Sequence, residues 1–132
     1  MKTCSVCGKK LAEGGHKSSP LKAGNCCTDC NREIVLPLRR YLAGENKQTL
    51  LVIEPNGTLI YVDLNSQEAK LDELQDLVGG YIEIYPTNNE HFYYLVDEEG
   101  LLKGKELNKT AYDVLGIDVV GSVVLCPRGM MK

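Results

Sequence analysis

The sequence contains no tryptophan, and no run of apolar residues approaches the roughly 20 positions that a membrane-spanning helix needs. The first residues, Met1-Lys2-Thr3-Cys4, also lack the apolar stretch of a secretory signal. We therefore expect a soluble, cytoplasmic protein that does not bind a membrane and whose thiols stay reduced. Aromatic residues make up only 6% of the chain, which leaves few rings on which single-stranded nucleic acid could stack.

A nucleophile with an orienting base is missing as well. Cys126 ends an apolar run and is expected to be a small core residue, while His91 begins a strand and is expected to be exposed. A catalytic zinc ion would need an open coordination position, which four cysteine ligands do not leave. The sequence therefore predicts a protein that is not an enzyme.

Six cysteines are present, and four of them form two pairs with the spacing of metal ligands. Cys4 and Cys7 belong to one Cys-x-x-Cys turn, and Cys27 and Cys30 belong to another. Each turn can point both sulfurs at one ion, and two turns complete a closed tetrahedral shell with Zn–S distances of about 2.3 Å. The spacing predicts one structural Zn²⁺ ion bound by these four side chains.

Other arrangements of these residues are open. Cys26 could compete with the adjacent Cys27, although only Cys27 has the two-residue spacing to Cys30, and His16 could substitute as a ligand. Six cysteines would also suit three disulfides, and iron is bound by similar paired turns. The missing secretory signal and the metal-ligand spacing favour a metal over disulfides.

The segment between the two turns, Lys9 to Cys26, is rich in glycine, serine and lysine and offers little core. Burial alone would not offset its ordering entropy, so metal binding is expected to supply most of the folding free energy of this region. The following segment, Asp29 to Ala43, has apolar residues at helical intervals and ends at Gly44. Pro37 must break or kink this helix, or begin its second half. We expect the apolar face of the helix to pack on the C-terminal domain or on a second copy.

Charge is distributed unevenly along the chain. Residues 1–48 carry nine basic and four acidic residues, a net charge of +5, whereas residues 49–132 carry six and fourteen, a net charge of −8. A basic front suggests nucleic-acid binding as an alternative function, and opposite charges also suit a contact between the two halves or between subunits of a homo-oligomer. The residues expected to contact phosphates in that alternative are Lys9, Lys10, Lys17, Lys22, Arg39 and Arg40.

After Thr49 the pattern changes to short strands. Leu50 to Ile53 and Thr58 to Val62 flank an Asn-Gly turn and predict a hairpin, and Tyr81 to Tyr85 with His91 to Val96 predict a second one.

A helix from Asn65 to Val78, with a capping box of Asn65 and Glu68, separates the two hairpins. A short helix, Lys109 to Leu115, and a buried strand, Val119 to Leu125, follow. We predict α+β architecture: a metal module with its helix at 1–48, then at 49–132 an antiparallel sheet with the main helix on one face.

Residues 74–83, with the sequence LQDLVGGYIE, resemble the core motif of a domain-of-unknown-function family common in bacteriophages, plasmids and integrated elements. The resemblance covers about residues 50–126, because further residues occur in the same order in that family. These are Glu98-Glu99-Gly100, Gly104, Asn108, Asp118, Val120 and Gly121. The front of the chain, with Cys4 to Gly8 and Cys26 to Asn31, resembles small phage proteins with a zinc-ribbon-like module. Neither resemblance implies a catalytic activity. Both imply a protein of a phage or mobile element that acts in the host cytoplasm.

Several polar or backbone-exposing residues of this motif region could converge at one end of the sheet. They would bind a small nucleotide-like ligand, with tyrosine stacking on a base and the glycine amides receiving a phosphate. In the simpler interpretation Gly79 is only the left-handed cap of the helix. The candidate ligand-binding residues are Gly79, Gly80, Tyr81, Glu83, Glu99 and Asn108.

The sequence as a whole favours a binding protein of a mobile element. Its target would be a host protein, such as a defence component attracted to the acidic face, or a small nucleotide-like signal that the protein sequesters. Nucleic-acid binding through the basic front is the alternative.

Overall fold

The computed structural model of the 132-residue chain describes residues 3–11, 15–22, 24–64 and 70–130. The strands are β1 His16–Lys17, β2 Asn25–Cys26, β3 Thr49–Ile53, β4 Leu59–Asp63, β5 Ile82–Tyr85, β6 Phe92–Asp97 and β7 Val123–Pro127. The helices are α1 Thr28–Cys30, α2 Leu36–Leu42, α3 Leu71–Val78 and α4 Lys109–Leu115, with a π-helical segment at Asn31–Val35 and a 3₁₀ turn at Arg128–Met130. The β-β-α-β-β-α-β order predicted after residue 49 is confirmed.

Five strands form one antiparallel sheet in the order β4-β3-β7-β6-β5, and β1 pairs with β2 in a separate small hairpin. Of the three inner strands, β3 and β7 are buried at every position and β6 at all but one, as their nearly continuous apolar sequences require. The edge strands β4 and β5 consist of half-buried and exposed residues. The α+β class and the antiparallel sheet are therefore as predicted.

Successive side chains of a strand point to opposite faces of the sheet, so the sheet has two faces to bury. Helices cover both of them. Helix α3 covers one face, where its Leu74 and Val78 pack on Leu50, Val124 and Cys126 among others. The N-terminal helix and α4 cover the second face. Its buried cluster includes Val35, Leu38, Tyr41, Leu51, Ile53, Phe92, Ala111 and Leu125. The core therefore runs without interruption from the N-terminal cysteine-containing region into the sheet.

A continuous helical stretch runs from Thr28 to Leu42, with the π-helical segment directly before Pro37. Proline has no N–H to donate and its ring collides with the carbonyl four residues earlier, so a regular α-helix cannot continue through it. The helix instead contains one extra residue in a wider, π-helical turn, in which the Leu36 N–H donates to the Asn31 carbonyl five residues earlier. Pro37 is the second residue of α2, after Leu36, one position later than in the alternative that made it the first residue of the second half.

Tyr41 anchors this helix to the sheet. Its hydroxyl donates to the Thr49 carbonyl at 2.6 Å and lies 3.2 Å from the Leu125 carbonyl, and its ring stacks on Phe92 with centroids 4.8 Å apart. The helix thus packs on the sheet of the same chain, one of the two arrangements expected from its apolar face.

The hairpin of β3 and β4 turns at Pro55-Asn56-Gly57. The Gly57 N–H donates to the Glu54 carbonyl at 3.0 Å, and Gly57 has a φ of +95°. This is a three-residue loop with a glycine in the left-handed region, which the Asn-Gly pair favours.

Two elements begin later in the structure than the sequence predicted. The expected strand from Val119 to Leu125 begins later, at Val123, and was wrong at its start because Gly121 with a φ of +74° interrupts the extended backbone. The helix expected from Asn65 to Val78 ends as predicted, but α3 begins at Leu71, because Lys70 is an extended N-cap residue with a ψ of 143°. The expected capping box of Asn65 and Glu68 lies outside the described residues. No helix in the part of the chain that the structure describes is long and apolar enough to cross a membrane.

Candidate metal centre

Four cysteine sulfurs meet at the N-terminal end of the molecule. The Sγ atoms of Cys4, Cys7, Cys27 and Cys30 all lie within 4.8 Å of one another, and those of Cys7 and Cys27 are 3.9 Å apart. A tetrahedral ion with Zn–S bonds of about 2.3 Å requires sulfurs separated by about 3.8 Å. The four side chains therefore need only a small contraction to bind one metal ion.

Local backbone structure positions each pair of sulfurs. In the first turn the Gly8 N–H donates to the Cys4 carbonyl at 2.9 Å, and the Cys4 N–H donates to the Lys9 carbonyl at 2.6 Å. Cys27 is the N-cap residue of α1, and Cys30 is the last residue of that helix. Each Cys-x-x-Cys pair is thus built from residues close in sequence, which explains why the spacing alone predicted it.

Backbone amides donate to the sulfurs. The N–H groups of Val6 and Cys7 both lie 3.4 Å from the Cys4 Sγ, and the Cys30 N–H lies 3.5 Å from the Cys27 Sγ. Such bonds stabilise a thiolate, the form of cysteine that binds metals. The loop backbone therefore supports negative charge at the cluster.

The two buried thiols of the sulfur group, Cys4 and Cys30, differ in their pKa. Burial raises the pKa of Cys4, but hydrogen bonds from backbone N–H groups, that of Cys7 first, outweigh it and lower the pKa to about 6. Burial and the neighbouring cysteines raise the pKa of Cys30 far above the ordinary value for a thiol. Without an ion the cluster would retain protons, so metal binding must release them.

The other candidate ligands lie outside the group. Cys26 is fully buried in the hydrophobic core, and Cys126 is buried on the opposite face of the sheet beside α3. The His16 Nε2 is 3.2 Å from the Thr28 Oγ1. All six cysteines are free, so none of them forms a disulfide. The sulfur group contains Cys27 rather than Cys26, as the sequence predicted.

Of the six basic residues proposed to contact nucleic acid, one is bound within the chain and five are exposed. Arg39 binds within the chain, because its Nε donates to the Ser19 carbonyl at 2.8 Å and its terminal nitrogen donates to the Lys17 carbonyl at 2.9 Å. This guanidinium holds the loop between the two cysteine turns against α2. The remaining five side chains, of Lys9, Lys10, Lys17, Lys22 and Arg40, are exposed.

The six candidate ligand-binding residues are not brought together at one place. Gly79, Gly80, Tyr81 and Glu99 line an open cleft of about 420 Å³. Glu83 lines a different cleft, on the face that β5 shares with the loop after β6. Asn108 is fully buried.

Asn108 makes its hydrogen bonds inside the protein. Its Nδ2 donates to the carbonyls of Ile53 at 2.8 Å and Gly121 at 2.9 Å, and its Oδ1 accepts the Ala111 N–H at 2.8 Å. The side chain thereby caps α4 and connects it to the end of β3. This residue has a structural role in the fold.

A buried ion pair was missed by the sequence reasoning. The Asp97 side chain is only 1% exposed, and its Oδ2 lies 2.6 Å from the Lys105 Nζ and 2.9 Å from the Lys103 Nζ. The same ammonium groups donate to the carbonyls of Val78 and Gly79 at the end of α3. An acidic residue closing an apolar strand, followed shortly by two lysines on either side of a glycine, is the signal that could have found it.

Gly80 allows this ion pair to form next to α3. A Cβ atom at that position would lie 2.5 Å from the Lys103 Nζ and 2.7 Å from the Asp97 Oδ1, too close for any other residue without rearrangement. Gly79, with a φ of +82°, is the left-handed cap of α3. The double glycine therefore terminates the helix and makes room for the buried carboxylate.

Comparison with known proteins gives a family but no activity. A family model, described as a domain of unknown function (DUF3846), matches residues 48–130. No curated protein and no solved structure matches the chain. The matched region contains all five strands of the main sheet together with α3 and α4. The chain therefore belongs to the DUF3846 family of domains of unknown function.

Proposed function

We propose that the cysteine cluster is a structural Zn²⁺ site that organises a zinc-ribbon-like module. The observation that carries this proposal is the meeting of the four sulfurs within 4.8 Å of one another. Four thiolates are a soft, tetrahedral donor set that suits zinc, and their shell leaves no open position for a substrate. Iron is the competing ion because it accepts the same four ligands.

Metal analysis of protein purified under reducing conditions is expected to find about one zinc per chain. Adjacent cysteines provide a matched pair of variants. Cys27→Ala should lose the metal because it removes a member of the sulfur group, whereas Cys26→Ala should retain one ion. Elemental analysis by mass spectrometry measures both, and it also distinguishes zinc from iron. A full complement of zinc in Cys27→Ala, or protein that never contains metal, would contradict the proposal.

The wider function that we propose is that of a non-enzymatic binding protein of a bacteriophage or mobile element, acting on a host protein. The resemblance of both halves to proteins of such elements supports the origin, and the acidic C-terminal region supports binding to a partner with a basic surface. Because mobile elements meet host defences, we expect the partner to be a defence component.

A host protein is favoured over a nucleotide-like ligand for two reasons. The N–H groups of Gly79 and Gly80 both donate to the Gln75 carbonyl, at 2.9 and 3.1 Å, so they are not available to a phosphate. The Asn108 amide, proposed to read a base edge, is engaged within the chain. Nucleic acid is the second candidate partner, because the lysines of the cysteine module are exposed.

Affinity capture from host lysate under native conditions, analysed for proteins, small molecules and nucleic acid, tests these candidates together. We expect a stoichiometric host protein that persists after nuclease treatment. A panel of nucleotides should give no shift of the melting temperature of the purified chain. Loss of all captured material on nuclease treatment or raised salt would favour nucleic acid instead. A nucleotide that raises the melting temperature would establish the small-ligand function.

A further inference from the structure

Strand β5 is an edge of the sheet and pairs with β6 alone among the strands of the described residues. The Glu98 N–H donates to the Tyr81 carbonyl at 2.9 Å, which makes these two residues a hydrogen-bonded pair. Such pairs alternate along an antiparallel ladder, so Glu83 and Tyr85 bond to β6 in the same way. The N–H and C=O groups of Ile82 and Ile84 therefore point away from β6. They present a free edge to a further strand.

An apolar cleft lies beside this edge. It has a volume of about 630 Å³ and lies on the face to which Glu83 and Tyr85 point. Leu101 and Leu102 line it and are 82% and 88% exposed, the highest exposed fractions among the large apolar side chains that the structure describes. Leu107, 60% exposed, lines it as well. Three exposed leucines in one cleft are typical of a surface that binds a partner.

The charges around the cleft select the chemistry of that partner. Glu83, Glu98 and Asp118 are exposed and line the cleft, and no lysine or arginine is among its lining residues. The fourth lining carboxylate, Asp97, is already paired with Lys103 and Lys105. Three uncompensated carboxylates favour a segment that carries lysine or arginine.

We propose that β5 and the adjoining cleft bind an extended basic segment of a partner protein by strand addition. Main-chain hydrogen bonds to Ile82 and Ile84 would provide affinity, and alternate apolar side chains would enter the cleft lined by the leucines. Lysine or arginine side chains on the same face of the segment, at alternate positions beside those apolar residues, would reach the carboxylates that line the cleft. This inference rests on the proposed function as a binding protein, and it identifies the surface and the chemistry of the partner.

Three labelled ten-residue peptides test the inference by fluorescence polarisation. The first has valine and lysine by turns at its even positions and threonine at its odd positions, so that valine and lysine side chains share the face of the cleft. The second has glutamate in place of lysine. The third is the lysine peptide with N-methyl groups at its odd positions, whose amides must donate to β5 when the even side chains enter the cleft. The lysine peptide is expected to bind at least tenfold more tightly than either of the others, because the second repels the rim and the third cannot pair along one edge. Binding should also slow amide hydrogen exchange at Ile82 and Ile84.

The variant Leu101→Ser/Leu102→Ser should weaken binding of the lysine peptide at least tenfold. Both side chains are exposed, so the fold should tolerate the change. Leu71→Ser is the matched control, since Leu71 is 59% exposed on α3 and lies outside the cleft, and it should leave the affinity unchanged. Equal binding of the lysine and glutamate peptides, or full affinity in the double leucine variant, would overturn the inference.

Different results would contradict the strand-addition site and the function as a binding protein. A host protein that the wild-type chain and the Leu101→Ser/Leu102→Ser variant capture equally well would overturn the strand-addition site and leave the binding function standing. An absence of any captured protein, together with no binding of the lysine peptide, would overturn both.

Discussion

Removal of the metal is expected to unfold the N-terminal module and to lower the melting temperature of the whole chain by at least about 10 °C. Structural zinc contributes on the order of 10 kcal/mol to the folding of small modules, which is comparable with the total stability of a domain. Between residues 3 and 30, the described apolar side chains that are buried, other than those of cysteines, are those of Leu11 and Leu21. An ion in the proposed site would therefore supply most of the folding free energy of this region.

The effect extends beyond the module because its helix covers one face of the sheet. Val35, Leu38 and Tyr41 are buried against strands of the C-terminal domain. Loss of the proposed metal would remove the support of the chain before α2, and unfolding that reaches these residues would expose the face around Leu51 and Leu125 to water. A chelator should thus destabilise strands that lie far from the metal.

Thermal unfolding of the reduced protein, followed by circular dichroism with and without a chelator, measures this effect. Adding zinc back in excess should restore the original melting temperature, and adding magnesium should not, because thiolates select soft ions. Hydrogen exchange should locate the early loss of protection in α2, followed by β3 and β7. A melting temperature that does not respond to the chelator, in protein shown to have lost its metal, would contradict the structural role of the ion.

Structural elements that depend on residues close together in the sequence were predicted correctly. The two Cys-x-x-Cys turns, the Pro55-Asn56-Gly57 loop and helix α4 each depend on residues within a few positions of one another. Their geometry follows from turn chemistry, capping and spacing. The bounds of α4, Lys109–Leu115, and the grouping of the four sulfurs were accordingly predicted as the structure has them.

Contacts between distant segments were not predictable in the same way. The sequence indicated an apolar face on the N-terminal helix, but it left open whether the sheet or a second copy covers it, because periodicity identifies a buried face without its partner. Polar residues of the family motif looked like one pocket, yet Asn108 is used to join α4 to β3, and Glu83 lines a separate cleft. Their separation follows from the strand order, in which β3 and β5 are not neighbours.

The substitution Asp97→Asn is expected to lower the free energy of unfolding by about 3 kcal/mol at pH 7. The carboxylate accepts the Glu99 N–H at 2.9 Å in addition to the two ammonium groups. An amide of the same size removes the negative charge that compensates both lysines and places an N–H₂ group where one of its acceptor oxygens was. Lys105 and Lys103 are 23% and 40% exposed, so water moderates the loss of stability, which lies at the lower end of the range for buried ion pairs.

Urea unfolding measures this difference, and Glu98→Gln is the matched control. Glu98 is the next residue and is exposed, so removing its charge should change the free energy of unfolding by less than about 0.5 kcal/mol. A loss of similar size in both variants would indicate a general effect of charge rather than the buried pair.

The pH dependence of the same measurement identifies the carboxylate as the cause. Burial raises the pKa of Asp97, but hydrogen bonds from Lys105 and Lys103 outweigh it and hold the pKa well below its usual range. An aspartate whose pKa is lowered in the folded state contributes stability above its unfolded pKa of about 3.9, and this stability is lost as the pH falls toward the folded value. The difference between wild type and Asp97→Asn should therefore be constant from about pH 5 to 7 and shrink below about pH 4. A difference that stays the same at pH 7 and pH 3 would mean that the charge of Asp97 does not stabilise the fold.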